Sequence, residues 1–135
     1  MSVFFGKAAR RTAAAAFAAG ALLLPATAEA QDRMIGGYMA YLGPEDRVNS
    51  RGARLASAAA IVRQDRANFH RFGIRHAGDE NDRWFGSPGH RQAMESLIVI
   101  SADEARIIER QDALVYVSIF ARGGQITSIR VEIPG

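Results

Sequence analysis

The chain has 135 residues, enough for one domain of ordinary size. It contains no cysteine, which excludes disulfides, thiolate metal sites and cysteine nucleophiles. The formal net charge is +3, but residues 1–30 carry three of the 17 basic residues and one of the 14 acidic residues, so the remainder is almost neutral. Such a balance gives no support for nucleic-acid binding, and we expect no nucleic-acid partner.

The first 30 residues have the three-part pattern of a secretory signal. A basic start (Lys7, Arg10 and Arg11) precedes an uncharged apolar run, and small residues then alternate at Ala26, Ala28 and Ala30. The run is shorter than the roughly 20 residues that span a bilayer. We therefore expect a cleaved leader over 1–30, a single mature domain over 31–135 that does not span the membrane, and a periplasmic or secreted location. The mature chain would start at Gln31 or, by the earlier cleavage site, at Glu29.

The first half of the mature chain predicts one short strand and one long helix. Tyr38 to Leu42 forms a short apolar run between glycines. Asn49 or Ser50 can cap a helix that ends near Gly73, where a glycine can adopt the left-handed conformation. Helical spacing joins its apolar positions, which are Leu55, Ala58, Ala59, Val62 and Phe69.

Residues 73–86 have no periodicity and predict a long loop, of a length that is often functional or mobile. Ser87 and Pro88 then have the order of a helix start, and the predicted buried stripe is Ala93, Met94, Leu97 and Ile98. Ser101 and Glu104 have the spacing of a capping box for a further helix, with Ala105 and Ile108 facing inward.

The last 22 residues predict a β-hairpin, because two β-rich runs, 114–121 and 125–133, flank Gly123 and Gly124. A two-residue Gly-Gly turn would pair Val117 with Arg130, whereas a three-residue loop over 122–124 pairs it with Ile129. The binary pattern therefore favours the three-residue loop with a glycine bulge.

These elements predict an α+β fold with a long N-terminal helix, two shorter helices and a C-terminal antiparallel hairpin in a small sheet. A lone hairpin is marginally stable. The sheet should therefore gain a strand from Tyr38 to Leu42 or pair its edge with a second copy in a homodimer.

Asp65 departs from the helical pattern, because it lies on the apolar stripe between Val62 and Phe69. A buried carboxylate must be paired or neutral. We expect a partner from outside the helix, the candidates being Arg75, His76, Arg83 and Arg91. A structural tether to the loop is the favoured interpretation, and a general base is the alternative.

The three histidines, His70, His76 and His90, raise the question of a metal site, with Asp79 and Asp82 between the last two. No two of the histidines lie one helical turn apart, and the acidic pair lacks the spacing of a calcium loop. The sequence therefore predicts no metal and no cofactor. Nucleophile and phosphate-loop motifs are also missing.

Basic and acidic residues are concentrated in different parts of the mature chain. Residues 47–75 hold seven arginines and one acid, and residues 76–112 hold four arginines and eight acids. The two halves either neutralise each other or leave an arginine face suited to phosphate or carboxylate.

We therefore expect a non-enzymatic binding domain whose partner is an anionic lipid, a wall polymer or an acidic protein. The alternative is a small hydrolase using Asp65 with a loop histidine. The stretch 63–73, RQDRANFHRFG, looks like a signature, although it indicates no function by itself. The candidate binding residues are Asp65, Asn68, His76, Asp79, Asp82, Arg83, Arg63, Arg66 and Arg71.

Overall fold

A computed structural model describes residues 31–135, and the predicted leader and its cleavage sites lie outside them. The described chain is α+β, with three α-helices and a four-stranded mixed sheet of order β1-β3-β4-β2. The strands are β1 (Arg33–Leu42), β2 (Ile98–Val99), β3 (Ala113–Arg122) and β4 (Gln125–Glu132). The helices are α1 (Ala58–His70), α2 (Pro88–Leu97) and α3 (Ala102–Arg110), and a 3-10 turn covers Pro44–Arg47. None of these helices is long and apolar enough to cross a membrane.

The core lies on one face of the sheet. Alternate residues of the central strand β3 are buried, from Ala113 to Ala121, as the two-residue period of a strand requires. The helices contribute Ile61, Val62, Met94 and Ile108 to the same apolar cluster. Tyr38, Ala40 and Leu42 of β1 extend this face, so the strand predicted at Tyr38 to Leu42 is present and is longer than predicted.

The predicted hairpin register is wrong. Arg122 pairs with Gln125 across a two-residue turn, and both Gly123 (φ 56°) and Gly124 (φ 80°) have the left-handed conformation of such a turn. A bulge at Thr127 then shifts the register, so that Val117 pairs with Val131 rather than with Ile129. Because the extra residue restores the apolar alternation, the two-residue turn does not place a charge on the buried face.

The helix predicted to begin after Asn49 or Ser50 begins instead at Ala58, and Ser57 caps it by accepting a hydrogen bond from the Ala60 amide. Asn49 closes a local turn, because its Oδ1 accepts hydrogen bonds from the Arg51 and Ala53 amides. This is the alternative that Asn side chains offer to helix formation. The other end of α1 agrees with expectation, since Gly73 has a φ of 68°.

The two later helices begin where predicted. Pro88 starts α2, and Ser101 caps α3 by accepting a hydrogen bond from the Glu104 amide. Met94 is buried as expected, but Ala93 is exposed and Arg91 is buried in its place. The buried face of α2 therefore differs from the predicted face, because it includes Arg91 and excludes Ala93.

The predicted loop 73–86 covers the outer edge of β1. The Met39 amide donates to Glu80 Oε1 at 2.7 Å, the Glu80 amide donates to the Met39 carbonyl at 2.8 Å, and the Tyr41 amide donates to Asp79 Oδ1 at 2.8 Å. These bonds satisfy donors that an edge strand would otherwise expose. The loop is thereby held between β1 and the C-terminal half of α1.

Candidate functional site

The C-terminal half of α1 turns polar side chains toward the protein interior. Asp65, Arg66 and Asn68 are all buried, and Phe69 is buried beside them. Burial of this many polar groups requires partners, which come from the 3-10 turn and from the loop 73–86. The signature-like stretch 63–73 is therefore the part of α1 that joins these two segments.

Arg66 is the centre of this network, and its side chain has no exposed area. Its Nε donates to Asp65 Oδ2 at 2.8 Å, and its Nη1 donates to Asp82 Oδ2 at 2.9 Å and to the Glu80 carbonyl at 3.0 Å. The guanidinium carbon also lies 4.2 Å from the ring centroid of Tyr38, a favourable cation–π arrangement. Arg66 thus joins α1, β1 and the loop.

Asp82 accepts hydrogen bonds on both of its oxygens. Oδ1 accepts from the Trp84 and Phe85 amides, and Oδ2 lies 2.7 Å from His70 Nε2 in addition to its bond with Arg66. Burial raises the pKa of Asp82, but the hydrogen bonds from Phe85, His70 and Arg66 outweigh it, and the net shift is downward. Asp82 is a charged anchor for the loop.

Asp65 is 2% exposed, so the prediction of burial is confirmed. The predicted partner is wrong, because Asp65 bonds to Arg66 of its own helix rather than to Arg75, His76, Arg83 or Arg91. The side chains of adjacent helical residues diverge, but the long guanidinium reaches back to the carboxylate. Burial raises the pKa of Asp65 to about 7, although Arg66 acts in the opposite direction.

A second group of charged residues lies beside Asp65. Ligand atoms of Asp46, Asp65 and His76 all lie within 4.8 Å of one another, and we call these three residues the Asp-Asp-His cluster. Asp46, which is fully buried, accepts hydrogen bonds from the Gly43 amide at 2.9 Å and from Asn68 Nδ2 at 2.8 Å. The cluster joins the 3-10 turn, α1 and the loop.

Contacts with Glu45 and Asp79 fix the position of His76. Its Nε2 lies 2.9 Å from Glu45 Oε2, and its backbone amide donates to Asp79 Oδ2 at 2.8 Å. Gly43 permits this close packing, because a β-carbon there would lie 2.9 Å from His76 Nε2. The other ring nitrogen, Nδ1, is buried and has no hydrogen-bond partner among the described residues.

Three of the seven arginines between residues 47 and 75 are neutralised by carboxylates. Arg47 pairs with Asp112, Arg63 with Glu95, and Arg66 with Asp65 and Asp82. Most of these partners come from the acidic half of the chain, as the neutralising interpretation predicts. Arg71 and Arg75 differ: both are exposed, and their guanidinium groups lie over the rings of Phe72 and Phe69, at 5.0 and 4.1 Å from the centroids.

A groove of about 430 Å³ lies along α1 and α2, and we call it the arginine groove. Arg63, Arg71 and Arg91 line it, together with Phe72. A shallower groove of about 310 Å³ shares Phe72 and continues to Ile74. Phe72 and Ile74 are 44% and 39% exposed, which is high for large apolar side chains.

The structure separates the predicted site residues into groups. Asp65, Asn68, His76, Asp79, Asp82 and Arg66 belong to the buried network, Arg63 and Arg71 line the arginine groove, and Arg83 is exposed against Trp84. His90 lies outside both groups, with Nδ1 2.9 Å from the Trp84 carbonyl. The sequence pattern did not identify Asp46 and Glu45 as site residues, because they lie in a short turn without any periodicity.

The chain matches no protein-family model, no curated protein and no solved structure.

Proposed function

We propose that this chain is an exported, non-enzymatic binding domain that takes an anionic partner in the arginine groove. The observation that carries the proposal is the meeting of Arg63, Arg71 and Arg91 in one cavity with the exposed ring of Phe72 at its rim. Guanidinium groups suit bidentate binding of phosphate or carboxylate. Residues 1–30 would serve as the leader, and the partner would be met in the periplasm or outside the cell.

Arg71 is the residue with the strongest claim to bind the partner. Arg63 is already paired with Glu95, and Arg91 Nη1 donates to the Phe85 and Gly86 carbonyls. Arg71 has no carboxylate within 4.0 Å in the described part of the chain, and its guanidinium is exposed. It can therefore bind an incoming anion without breaking an existing ion pair.

The exposed apolar residues beside the arginine groove limit the class of partner that can bind there. Phe72 and Ile74 are both partly exposed and line the same shallow groove beside the arginines, and a contiguous apolar patch rimmed by polar residues marks an interaction surface. A partner that combines an anionic group with an apolar part satisfies both sides. An anionic lipid fits this description, and an acidic protein segment with apolar side chains is the other candidate of the same chemistry.

The test measures binding of the purified protein to vesicles of phosphatidylcholine with and without phosphatidylglycerol, and to polyglutamate and an anionic polysaccharide. We expect binding that weakens as salt is raised, and Arg71→Gln should weaken it. Arg106→Gln is the matched control, because Arg106 is an exposed arginine of α3 that lines neither groove. Equal binding by both variants would contradict the assignment of the groove.

The alternative function is a hydrolase that uses Asp65 with His76. The proximity of the two side chains and the pKa of Asp65 near 7 favour it, since a general base works best with a pKa near the ambient pH. However, the grooves described above are lined by neither residue. Turnover of ester or phosphoester substrates that is abolished in Asp65→Asn, with binding unaffected by Arg71→Gln, would favour the enzyme.

A further inference from the structure

We propose that Asp46, Asp65 and His76 bind a divalent cation of a first-row metal, such as Zn²⁺ or Mn²⁺. The proposal is independent of the arginine groove and goes beyond the binding function proposed for it. Three separate segments of the chain each supply one ligand, namely the 3-10 turn, α1 and the loop 73–86. Their ligand atoms lie within 4.8 Å of one another.

The histidine ring carries the argument. Nε2 lies 2.9 Å from Glu45 Oε2, so the N–H is placed on Nε2 and the lone pair on Nδ1 faces the interior. Nδ1 lies 3.7 Å from Asp79 Oδ2 and 4.0 Å from Asp46 Oδ2, and it has no hydrogen-bond partner within residues 31–135. A lone pair directed at carboxylate oxygens is repelled by them unless a cation, either a proton on Nδ1 or a metal ion, lies between. Burial lowers the pKa of His76, but the hydrogen bond to Glu45 and the charges of Asp46 and Asp79 outweigh it and the net shift is upward, so a proton is the competitor that a metal ion must displace. A histidine whose second nitrogen donates to a carboxylate is also the usual arrangement of a metal ligand.

A proton on Nδ1 would leave that N–H without a close hydrogen-bond acceptor on any described residue. An N–H group on Nδ1 would need an acceptor at about 2.7–3.2 Å, and both carboxylate oxygens are farther away. Ligand atoms at about 2.0–2.1 Å from Zn²⁺ lie roughly 3.4 Å apart in a tetrahedron. The ligand atoms of the cluster lie up to 4.8 Å apart, so the side chains must rotate inward to complete the site.

The balance of buried charge supports a cation. The side chains of Asp46, Asp65, Asp79 and Asp82 are at most 2% exposed, and in the part of the chain that the structure describes Arg66 is the one fully buried guanidinium beside them. Burial raises the pKa values of both Asp46 and Asp65, which expresses the cost of keeping each carboxylate charged away from water. A divalent cation removes that cost.

The ligand set and its surroundings indicate the class of ion. Mg²⁺ and Ca²⁺ favour sites made only of oxygen, whereas one imidazole with two carboxylates suits Zn²⁺ or Mn²⁺. Each ligand is already oriented by a neighbour: Asp46 by Asn68, Asp65 by Arg66, and His76 by Glu45. Glu45 is exposed, so an ion can reach the site from that side.

The experiment titrates chelator-treated full-length protein with Zn²⁺ in a calorimeter and repeats the titration with Mn²⁺. We expect one ion per chain and a higher melting temperature of the loaded protein. His76→Ala and Asp65→Asn should remove a ligand and abolish tight binding. His90→Ala is the matched control, because His90 is an exposed histidine outside the cluster, and it should bind as the unmodified protein does.

Glu45→Ala provides a second test of the metal site, which applies even if His76→Ala and Asp65→Asn fail to fold. This exposed residue orients His76 without belonging to the cluster, and loss of such a partner typically weakens metal binding about 10- to 100-fold. Absence of stoichiometric Zn²⁺ or Mn²⁺ uptake by the unmodified protein would overturn the proposal. Affinity unchanged in His76→Ala and Glu45→Ala, or reduced equally in His90→Ala, would overturn it as well.

Discussion

Arg66 and Asp82 form an ion pair of 2.9 Å between two side chains that have no exposed area. The pair joins α1 to the loop that covers β1, and Asp82 in turn accepts hydrogen bonds from the Trp84 and Phe85 amides. Removal of one member of a buried pair leaves the other charge uncompensated. The packing of the loop therefore depends on this contact.

Arg66→Ala should destabilise the domain strongly. The substitution leaves Asp65 and Asp82 buried without their cation and removes contacts with the Tyr38 and Phe69 rings. Breaking a buried pair costs about 3–5 kcal/mol in the free energy of unfolding. Urea denaturation measures the change.

Arg63→Ala is the matched control for Arg66→Ala. Arg63 lies on the same helix, but it pairs with Glu95 at the surface, where both side chains are more than 40% exposed. Exposed pairs contribute about 0–1 kcal/mol. Similar losses of stability in the two variants would contradict the role assigned to the buried network.

The stability contributed by Asp82 should disappear in acid. Its folded-state pKa lies below the unfolded value of 3.8, because hydrogen bonds to the ionised carboxylate outweigh burial. The contribution is therefore fully present above the unfolded value and is lost as the pH falls through the folded value.

Urea denaturation of the unmodified protein and of Asp82→Asn, at pH values from about 7 to about 3, tests this dependence. The stability difference between the two proteins should shrink toward the acid end. A difference that stays constant over the range would show that the carboxylate charge is not what stabilises the loop.

Periodicity was sufficient to predict the fold class, the start of α2 and α3 and the burial of Asp65, since each depends on local pattern or capping. The hairpin register was not predictable in this way, because the bulge at Thr127 leaves no mark in a binary pattern. The start of α1 was misplaced because Asn49 caps turns as readily as helices. The Asp-Asp-His cluster joins segments up to 30 residues apart, so no local spacing could indicate it.

Gly43→Ala should displace His76. The Gly43 backbone is extended, with φ −101° and ψ −175°, so alanine adopts it without strain. The new methyl group, however, would lie 2.9 Å from His76 Nε2 and 3.0 Å from Glu45 Oε2. We expect the hydrogen bond between these two side chains to break, at a cost of about 1 kcal/mol, the lower end for an overpacked site.

The histidine resonances in an NMR spectrum and the free energy of unfolding test the Gly43 substitution. Gly89→Ala is the control, because a β-carbon there would meet nothing nearer than Ser87 Oγ at 3.8 Å. Alanine in a helix is also favoured over glycine, so this variant should be neutral or stabilising. An unperturbed His76 resonance in Gly43→Ala would contradict the packing described around the ring.

The hairpin turn should distinguish between substitutions at Gly123. Its φ of 56° belongs to the left-handed region, which asparagine tolerates and β-branched residues do not. Gly123→Asn should therefore keep near-native stability, and Gly123→Val should lose it, as thermal unfolding would show. Equal stability of the two variants would favour the three-residue loop over the turn observed.

Asp65→Ala and Asp65→Asn should differ in stability. Arg66 Nε donates to Asp65 Oδ2 at 2.8 Å, and alanine at position 65 leaves this donor without an acceptor in the interior. We expect the free energy of unfolding to fall by roughly 3 kcal/mol. This is the lower end for a broken buried pair, because Asp82 still binds the same guanidinium. Asparagine keeps an acceptor oxygen and removes a charge whose burial raises the pKa of the group to about 7, so it should cost less. Thermal and urea unfolding of chelator-treated protein measure both variants. Near-native stability of Asp65→Ala would contradict a stabilising role for the buried pair of Asp65 and Arg66 and would instead indicate a carboxylate that is kept for ligand binding or catalysis at the expense of stability.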